Sequence, residues 1–510
     1  MTGRLVIVSH RVPLLSGTTA GLPAMTALDL DDRSAPTLWF GWSGRVTRDP
    51  AAVVSVRRER SLTCVAVDLS ASQYEGHLNG FSNGTLWPLF HELPSRVRFN
   101  PDDLAVYRAV NGMFAARLVP MLRADDRLWI HDYHLIPLGW MLRQAGVRAP
   151  LGFYLHVPFP SPDQLQTAPW RRKLAEDLAA YDFIGFQTHR DLANFQEFMR
   201  RARAVGTTRR FSRRVGSAPV AEVLPVGIAT RSAMAAASTP DAGEQAQRFA
   251  RCLSGRQVII GADRLDYTKG LLERFQGYER LLDAAPELHR QVCLVQVTAP
   301  SRSKVPGYLE LRADQKAAAQ RINERFGAAG WMPVYDVYGS LSTAALSALF
   351  RTSRIGLVTP LRDGATIAAK EYVAAQRPTD PGVLVLSRFA GAAELLTEAL
   401  LVDPRDPAQV ADALRMALAM PLGERQDRWR RMVIKLLHND AQRWHHAFLS
   451  GLARAHRRPV ADREISSSAI EIAPAPPERG PRRRASTLET IAGHPILRPQ
   501  APVLWPDLAP

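Results

Sequence analysis

Cysteine is nearly absent. Three occur in 510 residues (Cys64, Cys252 and Cys293). They are odd in number and without metal-ligand spacing, which excludes a disulfide-stapled scaffold and a zinc module and suits a reducing compartment. Acidic residues are in deficit, 49 against 65 basic ones, for a net charge of +16. Such an excess raises the question of nucleic acid. The arginines are scattered along helical stretches, however, with one denser patch from Arg200 to Arg214, and no basic-aromatic RNA motif accompanies them. A solvated arginine-rich face, or a positive cleft for ligands carrying phosphate, accounts for the charge without nucleic acid. Long hydrophobic runs are missing too: no apolar stretch reaches the roughly 18 residues of a membrane span. The opening strand, from Leu5 to Val8, is too short and too soon followed by Arg11 for a secretory signal. A cytoplasmic protein with no membrane attachment is expected.

What is present is an alternation of strands and helices on a chain long enough for two or three domains. Its centre is residues 357–376, LVTPLRDGATIAAKEYVAAQ. Ile355 to Thr359 has strand length, Pro360 ends it, Asp363-Gly364 is turn chemistry, and Ile367 to Ala375 reads as an alanine-rich helix. The first N–H groups of such a helix are unpaired and favour anions such as phosphate. Lys370 and Glu371 add a cation and an acceptor near them, and Asp363 is placed to grip sugar hydroxyls. An ordinary strand-turn-helix connection fits the same residues. A second motif follows the apolar strand Val258-Ile259-Ile260 and runs from Gly261 to Gly270, GADRLDYTKG. Its Arg264 and Lys269 are expected on a loop, able to converge on a diphosphate.

Together these stretches resemble the retaining trehalose-6-phosphate synthases of glycosyltransferase family 20, from about residue 4 to about residue 452. The resemblance implies an α/β protein of two doubly wound Rossmann-like domains facing across a cleft, the GT-B arrangement. It implies glucose transfer from a nucleoside-diphosphate glucose, UDP-glucose first, to glucose 6-phosphate, giving trehalose 6-phosphate with retained configuration. The acceptor set it implies is Arg11, Gly21, Trp42, Trp87, Asp132 and Arg302. The donor set is His156, Arg264, Lys269, Asp363, Glu371 and the helix start Ile367, Ala368, Ala369 and Lys370. Asp132, His156, Arg264, Lys269 and Asp363 carry the chemistry. Family mechanisms let the leaving phosphate take the acceptor's proton. Fixed cations at the diphosphate stand where a metal would, so neither metal nor cofactor is expected. His131, His134 and His156 beside Asp132 do not by themselves make a metal site. The expected partners are the two small-molecule substrates, with no nucleic acid and no membrane. The oligomeric state is left open, a homo-oligomer included.

In chain order, residues 1–235 form the expected acceptor domain and residues 236–456 the nucleotide-sugar domain, with the last helices free to cross back. Residues 457–510, rich in proline and carrying Arg482-Arg483-Arg484, read as a disordered extension. Four departures from the family pattern lie in matched blocks: His10, Ala20, Leu78 in place of a tyrosine, and Ala365-Thr366. Most fall on the acceptor side. They keep open a related transferase with another phosphorylated acceptor, of the glucosylglycerol-phosphate synthase type, and a catalytically silent sugar-phosphate-binding regulator.

Overall fold

The computed structural model describes residues 3–12, 36–48, 54–205, 219–253, 255–302 and 306–457. Gly21 and its loop, Ala20, the end of the Arg200–Arg214 patch and residues 458–510 lie outside the described residues.

Two sheets organise the chain. The first contains β1 (Leu5–Arg11), β2 (Thr37–Val46), β3 (Val54–Glu59), β4 (Leu62–Leu69), β5 (Arg127–His131), β6 (Leu151–Tyr154), β7 (Phe183–Phe186) and β8 (Val220–Val223). Their order is β3-β4-β2-β1-β5-β6-β7-β8, parallel except where β3 runs antiparallel to β4. The second contains β9 (Gln257–Arg264), β10 (Val292–Ala299), β11 (Val334–Tyr338), β12 (Ile355–Val358), β13 (Val383–Ser387) and β14 (Leu400–Val402). Its order, β11-β10-β9-β12-β13-β14, is the doubly wound one in which the chain builds outward from one strand, returns, and builds the other way. The expected pair of Rossmann-like units is therefore present.

The strands are apolar on both faces because helices cover both. Along β1, Val6 and Val8 enter one core with Leu38, Phe40 and Ile130, while Leu5 and Ile7 enter another with Trp39 and Trp129. Along β9, Val258 and Ile260 face one core and Ile259 the other. The expected crossing at 229–247 is helical: Thr230–Ala236 and Pro240–Cys252, the second started by Thr239, whose hydroxyl accepts from the Ala242 N–H. The last helix, Ala441–His456, returns to the first sheet. Trp444, Phe448 and Leu452 complete the core holding Ile7, Trp129, Tyr154 and Phe183. Phe448 lies 4.5 Å from the Trp129 ring, nearly parallel to it. Gly152 on β6 makes the room, since a Cβ there would come within 2.7 Å of the Phe448 ring.

In each sheet the winding reverses beside the first strand, between β1 and β5 and between β9 and β12. At such a reversal the loops leave in opposite directions and open a crevice at the carboxyl ends. The two crevices face each other.

Candidate active site

On the second sheet, β9 ends at Arg264, which is exposed with its guanidinium 5.9 Å from the centre of the Trp87 ring across the cleft. The next residues turn tightly because the buried Asp266 carboxylate accepts from the N–H and the hydroxyl of Thr268, both at 3.1 Å. Gly270 then opens the next helix with φ +62°, and a Cβ there would sit 2.0 Å from the Thr359 carbonyl. That close approach carries Lys269 to the exit of β12, where its ammonium donates to Asp363 at 2.9 Å. Burial alone would raise the Asp363 pKa, but Lys269, backed by His91 and Arg264, holds it below the ordinary carboxylate range. Arg302, in the left-handed region with φ 48°, lies 4.1 Å over the Trp87 ring. It donates to Asp266 at 3.2 Å, to the Tyr308 hydroxyl, and at 3.4 Å to the Tyr133 hydroxyl. Its charge is thus already partly matched inside the protein.

The helix Ile367–Ala375 starts where it was expected, after Thr366 in a left-handed conformation (φ 47°) with its buried hydroxyl unpartnered. One expectation needs correcting. The Lys370 ammonium does not face the helix start; it is buried and donates to the Val226 carbonyl of the first half at 2.6 Å. Burial draws its pKa down to about 8. Glu371, whose carboxylate has no hydrogen-bond or ion-pair partner among the described residues, is pushed up by burial to about 7.

On the first sheet, Arg11 closes β1, 5.6 Å from the Trp42 ring centre, with its Nε buried and unpartnered. Burial lowers its pKa. Trp42 is fixed by its indole N–H donating to the Arg45 carbonyl at 2.7 Å. Asp132 follows β5 with φ 74° and accepts from the His156 N–H at 3.3 Å. Burial raises its pKa to about 7 against the pull of the Tyr133 and His156 N–H groups and of Arg264 and Arg302. His156 is lowered to about 3 by burial, so it is neutral, and its Nε2 lies 3.1 Å from His131 Nδ1. His10 stacks on His134 at 4.4 Å and lies 5.6 Å from His77. All three are held neutral by burial. Among the described residues, no group of three or more His, Cys, Asp or Glu is arranged to hold a metal ion.

The halves are pinned around this cleft. Arg362, one residue before Asp363, pairs with Glu92 and donates to the Phe159 carbonyl at 3.0 Å. Gly364 fits beneath the backbone of His156, whose carbonyl would lie 2.1 Å from an added Cβ.

The sequence profile of Glycosyltransferase family 20 matches residues 16–454. The chain belongs to glycosyltransferase family 20. Among its relatives is a trehalose-6-phosphate synthase of Enterobacter sp. (strain 638), 42% identical over 461 residues, 90% of this chain and 97% of that protein. Two solved structures are similar. One is an alpha,alpha-trehalose-phosphate synthase (UDP-forming) from Burkholderia xenovorans in complex with glucose-6-phosphate, with TM-score 0.82 and 38% identity over 88% of this chain and all (100%) of that one. The other, from E. coli and bound with UDP-2-fluoro glucose, has TM-score 0.80 and 39% identity over 88% of this chain and 98% of that one.

In this family 20 chain the fold gathers Arg11, Trp42, Trp87, Asp132, His156, Arg264, Lys269, Arg302, Asp363 and the Ile367–Glu371 helix start around one cleft. Sequence reasoning passed over Asp266, Tyr133 and Tyr308, which hold Arg302, and Arg362, which ties the turn before Asp363 to Glu92. Asp266 had a local signal, an aspartate two residues before a threonine in a turn. Arg362 had none, because Glu92 is far away in sequence.

Proposed function

We propose that this protein is a retaining glucosyltransferase that moves glucose from UDP-glucose to the anomeric hydroxyl of glucose 6-phosphate, forming alpha,alpha-trehalose 6-phosphate. One observation carries the reading. Two crevices face each other, one with Arg264 beside the Lys269–Asp363 pair and one with Arg11, whose buried Nε has no partner among the described residues, beside Trp42. An anion site and a sugar grip thus oppose a phosphate site. The relatives that bear the same fold include one holding glucose-6-phosphate and one holding a UDP-glucose analogue.

In this reading Arg11 takes the acceptor phosphate, with Arg302 at the junction of acceptor and donor. Trp42 and Trp87 wall the acceptor sugar. Arg264, Lys269 and the first N–H groups of the Ile367–Ala375 helix hold the diphosphate. Asp363 accepts from donor-glucose hydroxyls, displacing Lys269 toward phosphate, and Glu371 accepts from the ribose. As the anomeric carbon-oxygen bond breaks, positive charge grows on the sugar and negative charge on the leaving diphosphate, and the fixed cations stabilise the latter without reorganising. The acceptor hydroxyl attacks from the same face and its proton passes to the leaving phosphate oxygen. Neutral His156 is then a donor-sugar contact rather than a base, and Asp132 orients the attacking hydroxyl. Much of the acceleration comes from holding both sugars together.

We also infer that the boundary expected at residues 235/236 falls a few residues earlier, before Thr230, whose helix packs on the Ile367–Ala375 helix, and that Ala441–His456 returns to the acceptor half. No disulfide joins Cys64, Cys252 and Cys293, which fits a reducing cytoplasm. The test is UDP release from UDP-glucose with and without glucose 6-phosphate, with the product identified by mass and NMR. Trehalose 6-phosphate is expected. A UDP-induced thermal shift without that product would overturn the acceptor. Arg264→Ala and Lys269→Ala should each lower turnover roughly 100-fold, and near-normal rates for both would sink the diphosphate assignment.

A further inference from the structure

At the opposite end of the second sheet lies a cavity of about 670 Å³. Arg256 precedes β9, Arg351 and Arg354 precede β12, Arg377 precedes β13, and Arg425 reaches in from the helix Leu422–His438. The cavity therefore opens at the amino-terminal edge of the strands whose carboxyl ends carry Arg264 and Asp363. Five arginines line it against one carboxylate, Asp380.

That imbalance sets it apart from the rest of the arginine-rich surface, where acids sit beside the bases. Arg321 and Arg325 share Glu279, Arg325 also holds Asp283 at 2.6 Å, and Arg430 holds Asp427 at 2.8 Å. In the cavity, Asp380 is committed to Arg425 at 2.6 Å and stands 3.9 Å from Arg354. Arg256 is occupied by the carbonyls of Leu253, Gly330 and Arg290. Arg351 has one donor bonded, to the Ala375 carbonyl at 3.2 Å. The Arg377 side chain has no hydrogen-bond or ion-pair partner among the described residues. The Nε groups of Arg354 and Arg425 are buried and unpartnered, and Arg425 is only 7% exposed. Burial, and then repulsion from the next arginine, lowers the pKa of both Arg351 and Arg354.

We propose that this cavity is a second anion site, built to take a small molecule carrying two or more phosphate groups. Guanidinium forks match phosphate oxygens in pairs, the volume is that of a metabolite-sized ligand, and an anion of charge near −4 would neutralise the excess. The site is remote from the cleft, so its ligand need be neither substrate nor product.

The probe is tripolyphosphate, titrated calorimetrically into full-length protein carrying Arg264→Ala and Lys269→Ala, which removes the cleft's own diphosphate cations. Binding should persist there, weaken roughly tenfold or more when Arg351→Gln and Arg377→Gln are added, and fall with added salt. Arg377 has no partner among the described residues to lose and Arg351 only the Ala375 carbonyl, so melting and glycosyl transfer of the otherwise native chain should be unchanged. Absence of binding to the cleft-silenced protein would overturn the proposal. Binding indifferent to Arg351→Gln and Arg377→Gln would do the same, since the probe would then sit elsewhere. Orthophosphate binding as tightly as tripolyphosphate would overturn the multiply phosphorylated ligand.

Discussion

Glu371 gives the sharpest test of the proposed donor site. It lies in the helix Ile367–Ala375 with no side-chain hydrogen bond among the described residues, and burial alone raises it from 4.5 to about 7. Ionising it in the empty protein therefore costs roughly 3 kcal/mol relative to water. Ribose hydroxyls donating to the carboxylate would offset that cost, so nucleotide binding should expel a proton. At pH 6.5 about three quarters of the empty sites are protonated, and binding of UDP should release roughly 0.8 proton per site. Calorimetry at pH 6.5 in buffers of different ionisation enthalpy measures this number. Glu371→Gln should abolish it and weaken UDP at least roughly tenfold, and the difference between the two proteins cancels the nucleotide's own titration. The free protein supplies a second readout. A raised pKa means that the folded form holds its proton longer, so this contribution to stability is full below 4.5 and lost as pH rises through about 7. Glu371→Gln should then leave stability at pH 4 unchanged and raise it by up to about 3 kcal/mol at pH 8. Equal proton release by both proteins would refute the reasoning.

Three further outcomes follow from the same geometry. Arg11→Ala should raise the KM for glucose 6-phosphate at least roughly tenfold while leaving the melting temperature of the free protein unchanged, because its buried Nε has no partner to lose. Arg362→Ala should cost about 3 kcal/mol in denaturant unfolding, since Glu92 loses its partner across the two halves. A loss below about 0.5 kcal/mol would mean the halves are pinned elsewhere. Phe448→Ala should cost about 4 kcal/mol, because it empties the core where the last helix meets Trp129 and Phe183.

The elements were legible wherever local chemistry decided them. Val258-Ile259-Ile260 is a strand because only an apolar run survives between two helical layers. Ile367 to Ala375 is a helix because alanine-rich sequence favours it, and the chain turns extended at Gln376, just ahead of Arg377-Pro378. The doubly wound pair of units was legible in the strand-helix alternation together with the family resemblance. What escaped was pairing at long range. Nothing near Lys370 announces that its ammonium will reach Val226 rather than a ligand, and nothing near Arg362 points to Glu92.

By itself the sequence determined the strands, the helix starts and the residue types at each carboxyl end, because these follow from period, propensity and turn chemistry within a dozen residues. Only the tertiary structure decided which cations are free. Arg302 and Lys370 are engaged by oxygen acceptors inside the protein, while among the described residues the Arg11 Nε and the Arg377 guanidinium have no hydrogen-bond partner. The physical reason is that a charge is matched by whatever the fold brings within a few ångströms of it, and those partners come from segments distant in the chain.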